Sequence, residues 1–173
     1  MDDEAPNWEF SERDVAILTE LADDPQLSSR ELTDVLADEY DIDVSHVTVS
    51  QSIRRMRDEG VFREAIVPNE EYYYFALFEF KFNPEHFAEG WRPAMEYVRD
   101  DQNTLFFFLS DGEYQWKTIM MFRDREDVSQ WIHDFYKEHG AVVDNLRNSV
   151  VHNVLKFRTD PRIFSELHED DDS

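Results

Sequence analysis

The sequence predicts an α+β protein built in two parts. The first is a three-helix unit with a small β element, and the second is a four-stranded sheet with two helices. Three observations carry this expectation. Up to Gly60, apolar residues recur at intervals of three and four behind capping serines, which is helical spacing. From Tyr72 the pattern changes to two-residue alternation, interrupted by two further helical stretches. A hydrophobic content of 41% with fourteen Phe can build a core in spite of a net charge of −23.

Residues 1–10 read as a flexible leader in which Trp8 and Phe10 can pack on the first helix. Ser11 caps that helix with Asp14 three residues on; Val15, Leu18, Leu21 and Ala22 are its expected apolar face, and Asp24-Pro25 ends it. Ser28 or Ser29 starts a second helix, with Glu31 in capping-box position and Leu32, Val35 and Leu36 facing inward. Asp38 to Val44 is an acidic connector.

The stretch Ser45–Phe62, S-H-V-T-V-S-Q-S-I-R-R-M-R-D-E-G-V-F, organises the chain. Ser45 is an N-cap and Gly60 the left-handed residue past the C-terminus. Val49, Ile53 and Met56 share one face, which should be buried. Val47, Gln51, Arg54 and Arg55 project away from it, with Thr48 at the edge. Arg54, Arg55, Arg57 and Arg63 bring four of the chain's seventeen basic residues within ten positions. A DNA-reading helix in an acidic protein would look like this; so would an amphipathic helix with a solvated basic face. Val61-Phe62 and Ala65-Ile66-Val67, around Arg63-Glu64, suggest a small wing. Three helices and a wing make a winged helix-turn-helix, expected over 11–67.

The second part is expected over 70–158. Strand 72–82 places Tyr74, Ala76, Phe78, Phe80 and Phe82 on one face. Pro84 opens a helix with Phe87, Trp91, Ala94 and Val98. Strands 104–110 and 114–123 flank a hairpin signal at Asp111-Gly112. Asp124 caps a helix with Val128, Ile132, Phe135 and His139 on one stripe, stopped by Gly140. A fourth strand is expected over 146–157. This order, βαββαβ, folds by right-handed crossovers into a ferredoxin-like antiparallel sheet with both helices on one face. The other face is also apolar, so it should pack on a second copy. Residues 159–173 read as a short helix from Asp160-Pro161, with Ile163, Phe164 and Leu167 apolar, and an acidic tail.

Composition narrows the functional classes. No run of eighteen apolar residues exists, so a membrane helix is not expected. The start, M-D-D-E-A-P-N, does not resemble a secretory signal. With no cysteine, thiolate chemistry and disulfides are excluded, which favours an intracellular chain. Asp and Glu total 40, are spread over both halves, and Lys is scarce. A uniformly acidic, lysine-poor surface suits a salt-in halophile, where carboxylates hold water under near-complete screening. An acidic low-salt protein that repels nucleic acid is the alternative. The six His show no metal-ligand spacing, and four Gly include no phosphate loop, so no metal, cofactor or catalytic residue is expected. Tyr72-Tyr73-Tyr74 could stack single-stranded bases, but alternation favours a strand.

These residues together resemble the leucine-responsive/asparagine-operon regulators (Lrp/AsnC). Ser45, Val49, Ile53-Arg54-Arg55-Met56, Asp58-Glu59 and Gly60-Val61-Phe62 match that family's recognition-helix region without a gap. Asp14–Leu21 resembles its first helix. Asp111-Gly112-Glu113-Tyr114 and Arg123-Asp124-Arg125-Glu126 resemble parts of its ferredoxin-like (RAM-like) effector domain. The resemblance covers about residues 10–157 and, with the acidity, implies a regulator from a halophilic archaeon. It implies a cytoplasmic, nucleoid-associated, DNA-binding homodimer or higher oligomer rather than an enzyme. DNA contacts would come from Val47, Thr48, Gln51, Arg54, Arg55 and Arg63. A small-molecule effector would bind near Asp111, Gly112, Glu113 and Tyr114. The connector around Asp41-Ile42-Asp43 is longer and more acidic than the family's, and Gln115 stands where an Asp often follows the Tyr. Two other readings stay open: a sensor or protein-interaction module that no longer binds DNA, and an enzyme resembling the haem-pathway decarboxylases of the same fold family.

Overall fold

A computed structural model describes residues 8–69 and 71–167. The first seven residues of the expected leader and the acidic tail from 168 lie outside the described residues. The chain divides into two compact units, Met1–Ile66 together with Lys156–Ser173, and Val67–Leu155.

The first unit holds α1 (Glu12–Asp23), α2 (Ser29–Tyr40) and α3 (His46–Asp58). Both expected capping boxes form: Ser11 with Asp14, and Ser28 with Glu31. A contact absent from local sequence joins the first two helices: the Tyr40 hydroxyl donates to Glu20 Oε1 at 2.6 Å. Partial burial, and then that bond, push the Tyr40 phenol well above its ordinary range. The core comprises Ala16, Ile17, Leu18, Leu32, Leu36, Val49 and Met56.

The buried arc of α1 differs from the expected one, since Ala16, Ile17 and Leu18 are buried while Val15 and Ala22 are only half-buried. The reason is a second layer. The 3-10 helix Pro161–Leu167 lies against α1, and its Phe164 packs on this core, so α1 is covered on more than one side. Trp8 and Phe10 also pack there. The connector after α2 is shorter than expected, because the helix runs on to Tyr40. Asp41 turns the chain with a φ of 57°, and Ile42 and Val44 pack on the core, so the acidic loop is anchored by its two apolar residues.

The expected wing does not form. No strand lies between α3 and β1 (Tyr74–Phe82) among the described residues. The chain leaves α3 through a Schellman turn: Gly60, with φ +73°, donates to the Arg57 carbonyl, and Val61 donates to Met56 at 2.9 Å. Val61 and Phe62 then fold back on the helical core. The residues meant for the first wing strand are spent there, which leaves Ile66 97% exposed and unpaired in a ladder.

The second unit orders β1, α4 (Phe87–Asp100), β2 (Thr104–Leu109), β3 (Trp116–Phe122), α5 (Arg125–His139) and β4 (Val143–Val151). The sheet order β2-β3-β1-β4, antiparallel throughout, is that of the ferredoxin-like fold. Ala76, Phe78, Phe80 and Phe82 meet Ala94 and Val98 of α4 and Val128, Trp131 and Phe135 of α5 in one core. Trp131 was not on the expected stripe of α5. Its ring stacks 5.4 Å from Phe135, and its indole N–H donates to Asp101 at 2.9 Å, a partner thirty residues away that helical periodicity cannot reveal.

The fourth strand is shifted from the expected span. It starts at Val143, opposite Phe82, and ends at Val151, opposite Phe75. Because β1 begins only at Tyr74, residues beyond Val151 have little strand left to pair with, and Leu155 is left 90% exposed.

Gly90 shows how tightly α4 sits. A Cβ built there would lie 2.4 Å from Val142 Cγ2, a stiff buried β-branched side chain. Gly90→Ala should therefore lower the melting temperature. Overpacking costs about 1–3 kcal/mol, against roughly 1 kcal/mol gained in helix propensity. Thermal denaturation followed by circular dichroism measures the net sign.

Candidate nucleic-acid interface

Helix α3 is built to present one face. Ser45 accepts from the Thr48 N–H at 3.2 Å, and the Schellman turn closes the other end. Val49, Ser52 and Met56 are buried, with Ile53 half-buried, and this locks the rotation of the helix. The burial of Ser52 is invisible to hydrophobic periodicity, because a small polar residue gives no apolar signal.

The opposite face carries Val47, Gln51, Arg54 and Arg55, all exposed, at spacings of four, three and one. These form a single stripe about two turns long. Thr48 is half-buried, and its hydroxyl lies 3.0 Å from that of Ser45, so it is partly engaged in the cap. Arg63 is exposed on the loop after α3, not on a wing strand.

The four arginines are not equivalent. Arg57 pairs with Glu64 at 2.8 Å and lies over the Phe62 ring, so its charge is answered within the loop. The Arg55 guanidinium lies over Trp8, 4.4 Å from the ring centroid. Arg54 and Arg63 have no ion-pair partner among the described residues. The Arg57–Glu64 pair was not foreseen; the seven-residue spacing becomes a contact only because Gly60 reverses the chain. A face with a β-branched apolar residue, a glutamine and two cations can meet base edges and phosphates, since Gln pairs with adenine and Arg with guanine in the major groove.

The turn expected to bind an effector lies at one end of the second unit's sheet. It spans six residues between β2 and β3, closed by Ser110 N–H donating to the Gln115 carbonyl at 2.8 Å. Gly112 sits at φ +98°, a conformation glycine adopts without strain. Asp111, Gly112 and Glu113 are exposed, and Tyr114 is half-buried. Glu113 pairs with Lys81 at 2.8 Å, which holds its carboxyl below the usual range. The Tyr114 hydroxyl accepts from Asn145 at 3.0 Å, and Arg147 lies over its ring at 3.8 Å. Arg147 also pairs with Glu79 at 2.8 Å. Three of the four turn residues thus connect to β1 and β4 or shape the turn itself, while Asp111 makes no such link.

The sheet face away from the helices carries Leu77, Ile119 and Met121, half-buried, and Phe106 and Phe108, exposed. A cross-strand row of Lys117, Glu79 and Arg147 crosses it. Among the described residues, no group of three or more His, Asp or Glu side chains gathers as a metal site would, and no helix is long and apolar enough to cross a membrane.

The architecture is thus a helix-turn-helix unit followed in the chain by a ferredoxin-like unit. Several solved structures share this arrangement. One is an AsnC family regulator from Agrobacterium tumefaciens, with TM-score 0.68 and 14% identity over 87% of this chain and 95% of that one. Another is a transcriptional regulator from Neisseria meningitidis in complex with L-methionine, with TM-score 0.68 and 20% identity over 87% and 95% of the two chains. The LrpC protein of Bacillus subtilis superposes with TM-score 0.66 and 15% identity, over 86% and 99%. No family model matches the chain, and no curated protein matches it in sequence. At these identities the likeness establishes the fold.

Proposed function

We propose that this protein is a sequence-specific DNA-binding transcription regulator, not an enzyme, that works in the cytoplasm on the nucleoid as a homodimer or higher oligomer. The observation that carries the reading is the exposed stripe of α3. It offers Val47, Gln51, Arg54 and Arg55 on a helix whose other face is buried, in a chain where acids outnumber bases 40 to 17. Arg54 has no ion-pair partner among the described residues, and α3 is held by its caps and its apolar face. In this reading Gln51 and Arg54 meet base edges, Val47 gives apolar contact to thymine methyl groups, and Thr48, Arg55 and Arg63 meet phosphate or the groove edge.

The dimer forms through the open sheet face. Its aromatic and aliphatic residues favour burial, and two of the four lysines, Lys81 and Lys117, lie on this face with their charges paired to carboxylates. The turn Asp111–Tyr114 is the seat of a small-metabolite effector. Its support is the resemblance of the turn together with the Neisseria regulator's complex with L-methionine. A halophilic archaeal source accounts for the acidic, lysine-poor composition.

The test is a DNA-binding titration against KCl. Ordinary DNA binding releases counterions and weakens steeply with salt. With 40 carboxylates on the protein, cations must be kept between protein and phosphate. The expected result is binding at molar KCl with a shallow or positive slope of log K against log salt. A steep fall, with tight binding only at low salt, would contradict this.

A further inference from the structure

Trp8 precedes α1 by four residues, yet its ring lies on the reading helix. It packs on the core of the first unit, 6.5 Å from the Phe10 ring, and the Arg55 guanidinium sits 4.4 Å above it. We propose that Trp8 is a positioning residue: it holds Arg55 on the outer face of α3 as a contact for a nucleic-acid phosphate. The proposal rests on the DNA-binding reading above.

The choice of partner carries the argument. Arg57 is fixed by a carboxylate, that of Glu64, whereas Arg55 lies on an aromatic face, as Arg92 does on Trp91. A carboxylate cancels the charge and occupies the N–H fork. An aromatic face does neither. It attracts the cation through its quadrupole and leaves the in-plane N–H donors free for a phosphate. Arg55 has no ion-pair partner among the described residues, and it remains exposed. Holding it before DNA arrives also removes part of the rotamer entropy that a long side chain loses on binding. The adjacent Arg54 has no such support among the described residues, which fits a residue that must adapt to a base edge.

The experiment uses the full chain and a mixed-sequence DNA duplex, with affinity read by fluorescence anisotropy. Arg55→Ala should weaken binding on the order of 3–10-fold, the worth of one exposed charge contact. Trp8→Ala should weaken it by a smaller factor, and Trp8→Phe, which keeps an aromatic face, should restore most of the loss. In an Arg55→Ala background, Trp8→Ala should change nothing, because its effect runs through that guanidinium. An equal loss in both backgrounds would make Trp8 a packing residue and overturn the proposal, as would unchanged binding in Trp8→Ala. The pairing is read separately, without DNA, from the ring-current shift of the Arg55 Hε resonance. Loss of that shift in Trp8→Ala with no binding of any duplex by the parent chain would mean that the DNA reading fails. Binding by the parent with a resonance indifferent to Trp8→Ala would mean that the positioning fails.

Discussion

Arg54→Ala is expected to weaken binding to the protein's preferred DNA site on the order of 5–150-fold, the roughly 1–3 kcal/mol that a bidentate base contact supplies. The oligomeric state and the melting temperature should stay as they are. Arg54 is exposed, has no ion-pair partner among the described residues, and lies across the helix from buried Val49 and Met56. Removing it costs the fold little, since surface changes away from special features stay within about 0.5 kcal/mol. The comparison that sharpens the test is Arg57→Ala, three residues on. Its charge is already answered by Glu64, and its guanidinium lies over Phe62. It should affect affinity much less than Arg54→Ala does. Equal losses would mean that binding follows bulk charge and not the stripe; an unaffected Arg54→Ala would put another face of α3 on the DNA.

The second large effect is expected at the open face of the sheet. Ile119 pairs across the sheet with Leu77 on one side and Phe106 on the other, at the centre of the apolar part of that face. If the proposed dimer forms on this face, Ile119→Asp would put an unpaired carboxylate into it, at about 3 kcal/mol or more per copy. A symmetric dimer meets that cost twice. Sedimentation equilibrium should show the variant as a monomer at concentrations where the parent is a dimer. Its circular dichroism should be retained, because Ile119 points away from the core of Phe78, Met120 and Trp131. A variant that still dimerises would move the interface off this face. Loss of the dimer should also lower operator affinity, since two linked reading helices bind with far higher effective concentration than one.

Much of this was readable from the sequence because the signals were local. Ser11, Ser28 and Ser45 cap their helices, Gly60 takes its left-handed turn, and β1 and β3 alternate as their residues demand. The orientation of α3 was legible for the same reason: Val49 and Met56 fix which way Gln51 and Arg54 face. What escaped was set by contacts distant in sequence. The end of β4 depends on where β1 begins, seventy-odd positions earlier. The buried arc of α1 depends on a 3-10 helix more than a hundred residues away. The wing failed to form because Val61 and Phe62 had a better use against the helical core. In the candidate interface, the stripe was legible, but the division of labour among its arginines was not, because Trp8 and Glu64 reach them through folds of the chain.

Sequence-specific binding through α3 is tested by selecting bound duplexes from a random library at molar KCl, using the full chain. The expected result is enrichment of one pseudo-palindromic motif whose half-sites are spaced by whole helical turns, as a two-fold dimer with one reading helix per copy requires. Enrichment should fall away in Arg54→Ala. A library that emerges without a shared motif, or the same motif recovered equally by Arg54→Ala, would contradict it.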